Sequence, residues 1–99
     1  MVALVTRDDR LGPVMFALSD PMRRRVLEVV AANPEATVTE ICAAFDVSRF
    51  AVMRHLNVLE DVGLITRRAE GRERRVRLSD FRFERLIVDW VSDLRGGRP

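Results

Sequence analysis

Four helical patterns, two short alternating strands and a fifth helical pattern follow one another along this chain. That order predicts a mainly α fold with a small β-hairpin wing, a winged helix-turn-helix. Two further observations support it. The third and fourth helices are joined by a tight link and carry the packing residues that a steep helix crossing needs, and the hairpin that follows is dense in arginine. A length of 99 residues, 11.3 kDa, is enough for one domain over 1–99 and not for two.

The elements follow in order. Leu11, Val14, Met15 and Leu18 have helical spacing and mark a short first helix. Ser19-Asp20-Pro21 reads as a cap followed by proline in the first turn, which starts a second helix over 21–32. Met22, Val26, Val29 and Val30 take one side of it; Arg23, Arg24 and Glu28 are expected on the solvated side. Asn33-Pro34 ends it, because the residue before proline resists helical geometry. Thr37-Val38-Thr39 is a brief extended piece, and Thr39 is the expected cap of a third helix through Phe45, with Glu40 in its first turn. Ser48 caps the fourth helix, Arg49 to Val62, and Gly63 closes it where a left-handed backbone is wanted. Leu64 to Arg68 and Arg75 to Leu78 alternate as strands around a turn at Glu70-Gly71-Arg72. Ser79-Asp80 is the expected cap of a last helix reaching about Leu94, and Gly96-Gly97-Arg98-Pro99 is expected to be a frayed tail.

Composition removes several classes of function. No stretch approaches the roughly 20 apolar residues needed to span a bilayer, and the opening Met1-Val2-Ala3-Leu4-Val5 is too short for a signal-peptide core. A single cysteine, Cys42, makes no internal disulfide and points to a reducing cytoplasm. One Cys and one His are too few for a thiolate–imidazole zinc site, so no metal and no cofactor are expected. The carboxylates Glu60 and Asp61 read as helix-surface charges, and nothing resembles a catalytic pocket. The formal charge is only +2 although the pI is near 9.9, because all seventeen basic residues are arginine and little titrates in between. Their placement matters more than their number. Between Leu64 and Ser79, Arg67, Arg68, Arg72, Arg74, Arg75 and Arg77 face only Glu70 and Glu73, a local balance of +4. Arginine, with its permanent charge and planar fork of donors, is suited to phosphate.

The helix pair has a spacing of its own. Cys42 is a small residue facing the partner helix, Asp46 lies in the turn four residues later, and Val52 points inward six further on. On a wheel at about 100° per residue, Val52, Leu56 and Leu59 form the buried stripe of the fourth helix, with His55 and Val62 at its edge. Phe50, Met53, Arg54 and Asn57 point away, and Arg49 stands at the N-terminal flank. An outward helix face beside a basic hairpin suits docking on double-stranded DNA. Arg49, Phe50, Met53, Arg54 and Asn57 are the base-edge candidates; Ser48, Arg68, Arg72, Arg74 and Arg75 are the backbone candidates. Arg54 suits guanine and Asn57 adenine in bidentate contacts, while Phe50 and Met53 suit thymine methyls.

The run Ala17-Leu18-Ser19-Asp20-Pro21-Met22-Arg23-Arg24-Arg25-Val26-Leu27 resembles the opening of ArsR-type winged-helix repressors. The run from Ser48 to Ile65, with His55-Leu56 and Gly63-Leu64 in place, resembles their recognition-helix motif, and the resemblance covers about 14–94. It implies a homodimeric bacterial transcription repressor of the kind released from operator DNA by an inducer, whose identity is unknown. The departures are also informative. Thr37-Val38-Thr39-Glu40-Ile41 lacks the paired cysteines of metal-sensing members, and the last helix has Asp89 and Asp93 but no histidine, so this resembles a member without the metal switch. Phe50, Ala51 and Met53 replace small polar residues, and Asn57 replaces a basic one, which makes the face more apolar.

Leu11, Met15 and Phe16 of the first helix, with Phe83, Leu86, Ile87, Trp90, Val91 and Leu94 of the last, exceed what one apolar stripe needs. They predict a homodimer interface and, with it, an inverted-repeat operator; the plainer alternative is that they cap the monomer core. Two other functional readings remain open. One is a protein-interaction module that uses the Phe50–Met53 face. The other is a ligand- or thiol-responsive regulator acting through Cys42, although a free cysteine more often packs as a small hydrophobe.

Overall fold

The computed structural model describes residues 9–96; Met1–Val5 and the tail Gly97-Arg98-Pro99 lie outside the described residues. The chain forms α1 (Leu11–Leu18), α2 (Pro21–Ala32), β1 (Ala36–Thr37), α3 (Val38–Ala43), α4 (Arg49–Asp61), β2 (Ile65–Glu70), β3 (Glu73–Leu78) and α5 (Glu84–Leu94). This is a winged helix-turn-helix: helices around a three-stranded antiparallel sheet of order β1-β3-β2.

Capping explains most of the boundaries. Asp20 accepts hydrogen bonds from the Met22 and Arg23 amides at 2.8 and 3.1 Å, and Pro21 opens α2 where its missing N–H costs nothing. The third helix is capped two residues earlier than expected. Thr37 rather than Thr39 takes the cap, in a reciprocal box: its hydroxyl accepts from the Glu40 amide at 3.0 Å, and the Glu40 carboxylate accepts from the Thr37 amide at 2.8 Å. The extended piece accordingly shifts to β1, where Ala36 pairs with Val76 and Thr37 with Arg75. Ser48 caps α4 through the Ala51 amide at 3.1 Å. Gly63, at φ 85°, turns the chain left-handed after it, and the Leu64 amide bonds back to the Leu59 carbonyl.

One element starts later than the sequence suggests. Ser79 does not cap the last helix, because its hydroxyl donates to the Gly63 carbonyl and accepts from the Phe81 amide, tying the end of β3 to the α4–β2 turn. The helix α5 then begins only at Glu84, with no side-chain cap.

The core is aliphatic. Val14 and Ala17 of α1, Val26 and Val30 of α2, Ile41 of α3 and Val52, Leu56 and Leu59 of α4 close over Leu64, Ile65 and Val76. Arg23 was expected on the solvated side of α2 and is instead 7% exposed. Its Nε donates to the Ala17 carbonyl at 2.8 Å, its Nη1 meets His55 Nδ1 at 3.2 Å, and its guanidinium lies over the Phe16 ring. A guanidinium with those partners tolerates burial, and it locks α2 to both α1 and α4. No residue of α5 is fully buried. Among the described residues no helix is long and apolar enough to cross a membrane.

Candidate nucleic-acid interface

The buried stripe of α4 fixes which side chains face out. Val52, Leu56 and Leu59 are fully buried, so the opposite side carries Phe50, Arg54 and Asn57 into solvent. Phe50 is 72% exposed, and the Arg54 guanidinium lies 6.0 Å from the centre of its ring. A guanidinium that close to a ring face is weakly held by it, and Arg54 remains exposed. Met53 differs from its expected place: it is half-buried and packs against the core. Arg49 reaches across the turn, its Nη1 donating to Thr39 Oγ1 at 3.3 Å, so the first residue of α4 is tied to α3. Asp46 is exposed in the link between the two helices, and Cys42 is half-buried against the core.

Strand register puts the wing arginines on two faces, and their partners then divide them into three groups. Arg67 lies opposite Val76 and shares its face, which turns toward the core and α4. Its guanidinium donates to Glu60 Oε1, from Nε at 3.2 Å and from Nη2, and also to Asn57 Oδ1 at 2.8 Å. The side chain is only 9% exposed. Its hydrogen bonds hold the Glu60 carboxyl below the usual glutamate range.

Arg68, Arg75 and Arg77 lie on the opposite face with Thr66 and meet two carboxylates. Arg68 donates to Glu35 at 2.7 Å and to Glu70 at 3.0 Å. Arg75 donates to Glu70 at 3.2 Å and to the Glu35 carbonyl at 3.0 Å, and Arg77 Nε stands 4.0 Å from Glu35. Glu35 sits at φ 65°, a left-handed conformation costing about 1 kcal/mol in a non-glycine residue, and three arginines converge on it. Side-chain hydrogen bonds from Arg68 and Arg75 lower the Glu70 carboxyl pKa in the same way.

Arg72 and Arg74 form the third group. Both follow Gly71, Arg72 in the turn and Arg74 in β3 on the face of Arg67, and both are exposed with no ion pair or hydrogen bond from either side chain among the described residues. Arg74 nevertheless lies close enough to lower the Glu60 pKa.

The sequence-derived backbone candidates therefore fall into two classes. Arg72 and Arg74 project from the hairpin end, whereas Arg68 and Arg75 are held by acidic partners; Ser48 is exposed with its hydroxyl accepting the cap bond. The clamp role of Arg67 was missed, although a period of two from inward Ile65 marks it as inward-facing. Glu35 carried no comparable signal, because its partners come from strands more than thirty residues away.

On α1, Met15 is 47% exposed and Phe16 65%, with Leu11 half-buried. On α5, Trp90 and Leu94 are exposed, Ile87 and Val91 half-buried, and Phe83 and Leu86 partly packed on the core. Val88 adds an exposed apolar residue that the sequence reading did not include. Among the described residues no three His, Cys, Asp or Glu side chains gather as a metal would require.

Comparison with known proteins agrees with this geometry. A family profile described as a helix-turn-helix domain matches residues 18–68. The chain is 32% identical over 85 residues to the HTH-type transcriptional regulator YuzN of Bacillus subtilis, covering 80% of this chain and 92% of that one. Its fold superposes on a crystal structure of an ArsR family transcriptional regulator with a TM-score of 0.74, at 28% identity and 94% coverage of both chains. It superposes equally on the solution structure of a homodimeric winged helix-turn-helix DNA-binding domain from Mycobacterium bovis, with a TM-score of 0.71, 26% identity and coverage of 94% and 91%. Profile, relative and structures converge with the Ser48–Ile65 motif and the wing on one assignment: the chain belongs to the ArsR family of DNA-binding helix-turn-helix transcriptional regulators.

Proposed function

We propose that this chain is a cytoplasmic, homodimeric, sequence-specific repressor that binds an inverted-repeat operator and does not depend on a metal for its response. The observation that carries the reading is the two-sidedness of α4. One face is locked by Val52, Leu56 and Leu59, and the other offers Phe50 and Arg54 in contact beside Asn57, next to a wing ending in exposed Arg72 and Arg74. A rigid helix with an arginine-bearing outer face is what base reading in the major groove demands.

In this reading Arg49, Phe50, Arg54 and Asn57 approach base edges, with Met53 packed at the edge of that face. Ser48, Arg72 and Arg74 hold the backbone, and Arg68 and Arg75 join them where phosphate displaces Glu35 and Glu70. The similarity to a homodimeric Mycobacterium bovis domain supports the homodimer, and the exposed apolar residues of α1 and α5 are its proposed interface. The lack of paired cysteines ahead of α3 and of histidine on α5 supports a response without metal. No residue is assigned a catalytic role.

The test is fluorescence anisotropy of the full chain with duplex from its own promoter and with scrambled duplex, across a salt series. Tight, sequence-selective binding that falls steeply with salt is expected. The exposure of Phe50 favours one second reading, a winged-helix module that binds another protein through that face. Weak binding equal on both duplexes would transfer the assignment to that module, whose apolar contact would respond little to salt.

A further inference from the structure

The outward face of α4 and the wing meet outside the hydrophobic core where Arg67 bonds to Asn57 and Glu60. A guanidinium has five N–H donors and no acceptor, so the side of the Asn57 amide that faces it must be the carbonyl oxygen. The orientation of this amide is therefore set by chemistry. Arg67 is itself held: it is 9% exposed, and it is bonded through both Nε and Nη2 to a carboxylate one helical turn beyond Asn57. Among the described residues the Asn57 nitrogen makes no hydrogen bond, and the residue is exposed.

Resting on the DNA-binding reading above, we propose that Arg67 is a positioning residue that presents Asn57 to the major groove as a donor only. A bidentate contact with adenine needs carbonyl oxygen and amide nitrogen side by side, against N6 and N7. With its oxygen engaged toward the wing and the C-terminal half of α4, Asn57 offers the nitrogen alone. Guanine N7 and O6, adenine N7 and thymine O4 accept from it; cytosine presents only its own donor and is rejected. Asn57 thus excludes one base instead of selecting adenine, and Arg67 shapes specificity without touching DNA. Glu60 completes the device by neutralising Arg67, so the charge at this point is spent inside the protein.

The test is selection from a randomised duplex library, with sequencing of the bound fraction, for the full-length protein and the variants Asn57→Ala, Arg67→Met and Asn57→Asp. Asn57→Ala identifies the base pair concerned as the one whose preference disappears. The wild-type protein is expected to deplete cytosine there about tenfold while tolerating the other three bases. Arg67→Met frees the carbonyl and is expected to enrich adenine about tenfold over guanine and thymine at that same pair. Asn57→Asp keeps the clamp, since Arg67 holds one carboxylate oxygen and the other accepts from cytosine N4; it is expected to select cytosine. This variant carries the test if Arg67→Met fails to fold. A wild-type protein that already selects adenine at this pair would overturn the inference. So would a folded Arg67→Met that weakens all sequences alike, or an Asn57→Asp indifferent to cytosine. A library from which the wild-type protein selects nothing would overturn the DNA reading itself and the inference with it, an outcome distinct from an unshifted preference in a protein that does select.

Discussion

The helices α4 and α5 are similar in length and both amphipathic, yet they end in opposite conditions. The first has its apolar stripe closed by its own chain, with Val52, Leu56 and Leu59 fully buried. The second buries nothing completely, and Val88, Trp90 and Leu94 remain exposed on it, as Met15 and Phe16 do on α1. A finished stripe makes a helix a rigid platform whose outer face is free to read a ligand. An unfinished stripe leaves apolar surface that water penalises at about 25 cal/mol per Å², and in the proposed homodimer a second copy of the chain closes it.

That contrast can be broken most severely at Leu56. Leu56→Ala should cost about 2–5 kcal/mol of unfolding free energy, because a fully buried side chain leaves a cavity the neighbours cannot refill; chemical denaturation measures it. A loss below 1 kcal/mol would mean that α4 is not the closed platform described. The complementary change is Trp90→Glu, at a side chain 43% exposed. It should leave the fold intact by circular dichroism, shift the protein to monomer in sedimentation, and lower operator affinity roughly 100-fold through loss of bivalency. A dimer that survives this substitution would place the interface elsewhere.

Smaller effects sharpen the division within the wing. Arg72→Ala should reduce the slope of log affinity against log salt by about 1 for each wing that engages a phosphate. Arg68→Ala should reduce it less, because Glu35 and Glu70 already hold that guanidinium. Equal slopes for the two variants would show that the acidic partners give way completely on binding.

The smallest effect is acid sensitivity of the clamp. Hydrogen bonds from Arg67 lower the Glu60 pKa, so folding gains stability from Glu60 above the ordinary glutamate range, about 4.3. That gain is lost as pH falls through the lower folded value. Glu60→Gln should therefore lower the unfolding free energy at pH 7 by about 1 kcal/mol or less, because the carboxylate side of the pair stays partly open to solvent. The difference from wild type should shrink as the pH falls below the ordinary glutamate range. A gap that widens on acidification would reverse the assigned sign.

Which parts could be read from the chain alone follows from where the determining contacts lie. The ends of α2 and α4 were legible because their signals are local: Asp20-Pro21, Ser48 and Gly63 act within a few residues. The start of α3 was legible too, since Thr37 stands three residues before Glu40 in the capping-box pattern, but Thr39 drew the choice away. Ser79 could not be read correctly, because its hydroxyl is spent on Gly63, a partner sixteen residues away that exists only once the sheet closes. The same reason hid the burial of Arg23, whose partners Ala17 and His55 lie on two other helices. Within the candidate interface, the outward side of α4 followed from periodicity for Phe50, Arg54 and Asn57, while Met53 at its edge packs inward. Arginine number in the wing was legible, but arginine availability was not, because it depends on where Glu35, Glu60 and Glu70 arrive in space.

Stoichiometry on DNA joins the two helices in a single observation. In sedimentation velocity with a fluorescent duplex carrying the selected inverted repeat, the wild-type chain should bind as two copies per duplex, and Trp90→Glu should show no complex at the same concentration. One copy per duplex, or two copies for both proteins, would contradict the claim that α5 is completed by a second chain so that two α4 helices read the operator together.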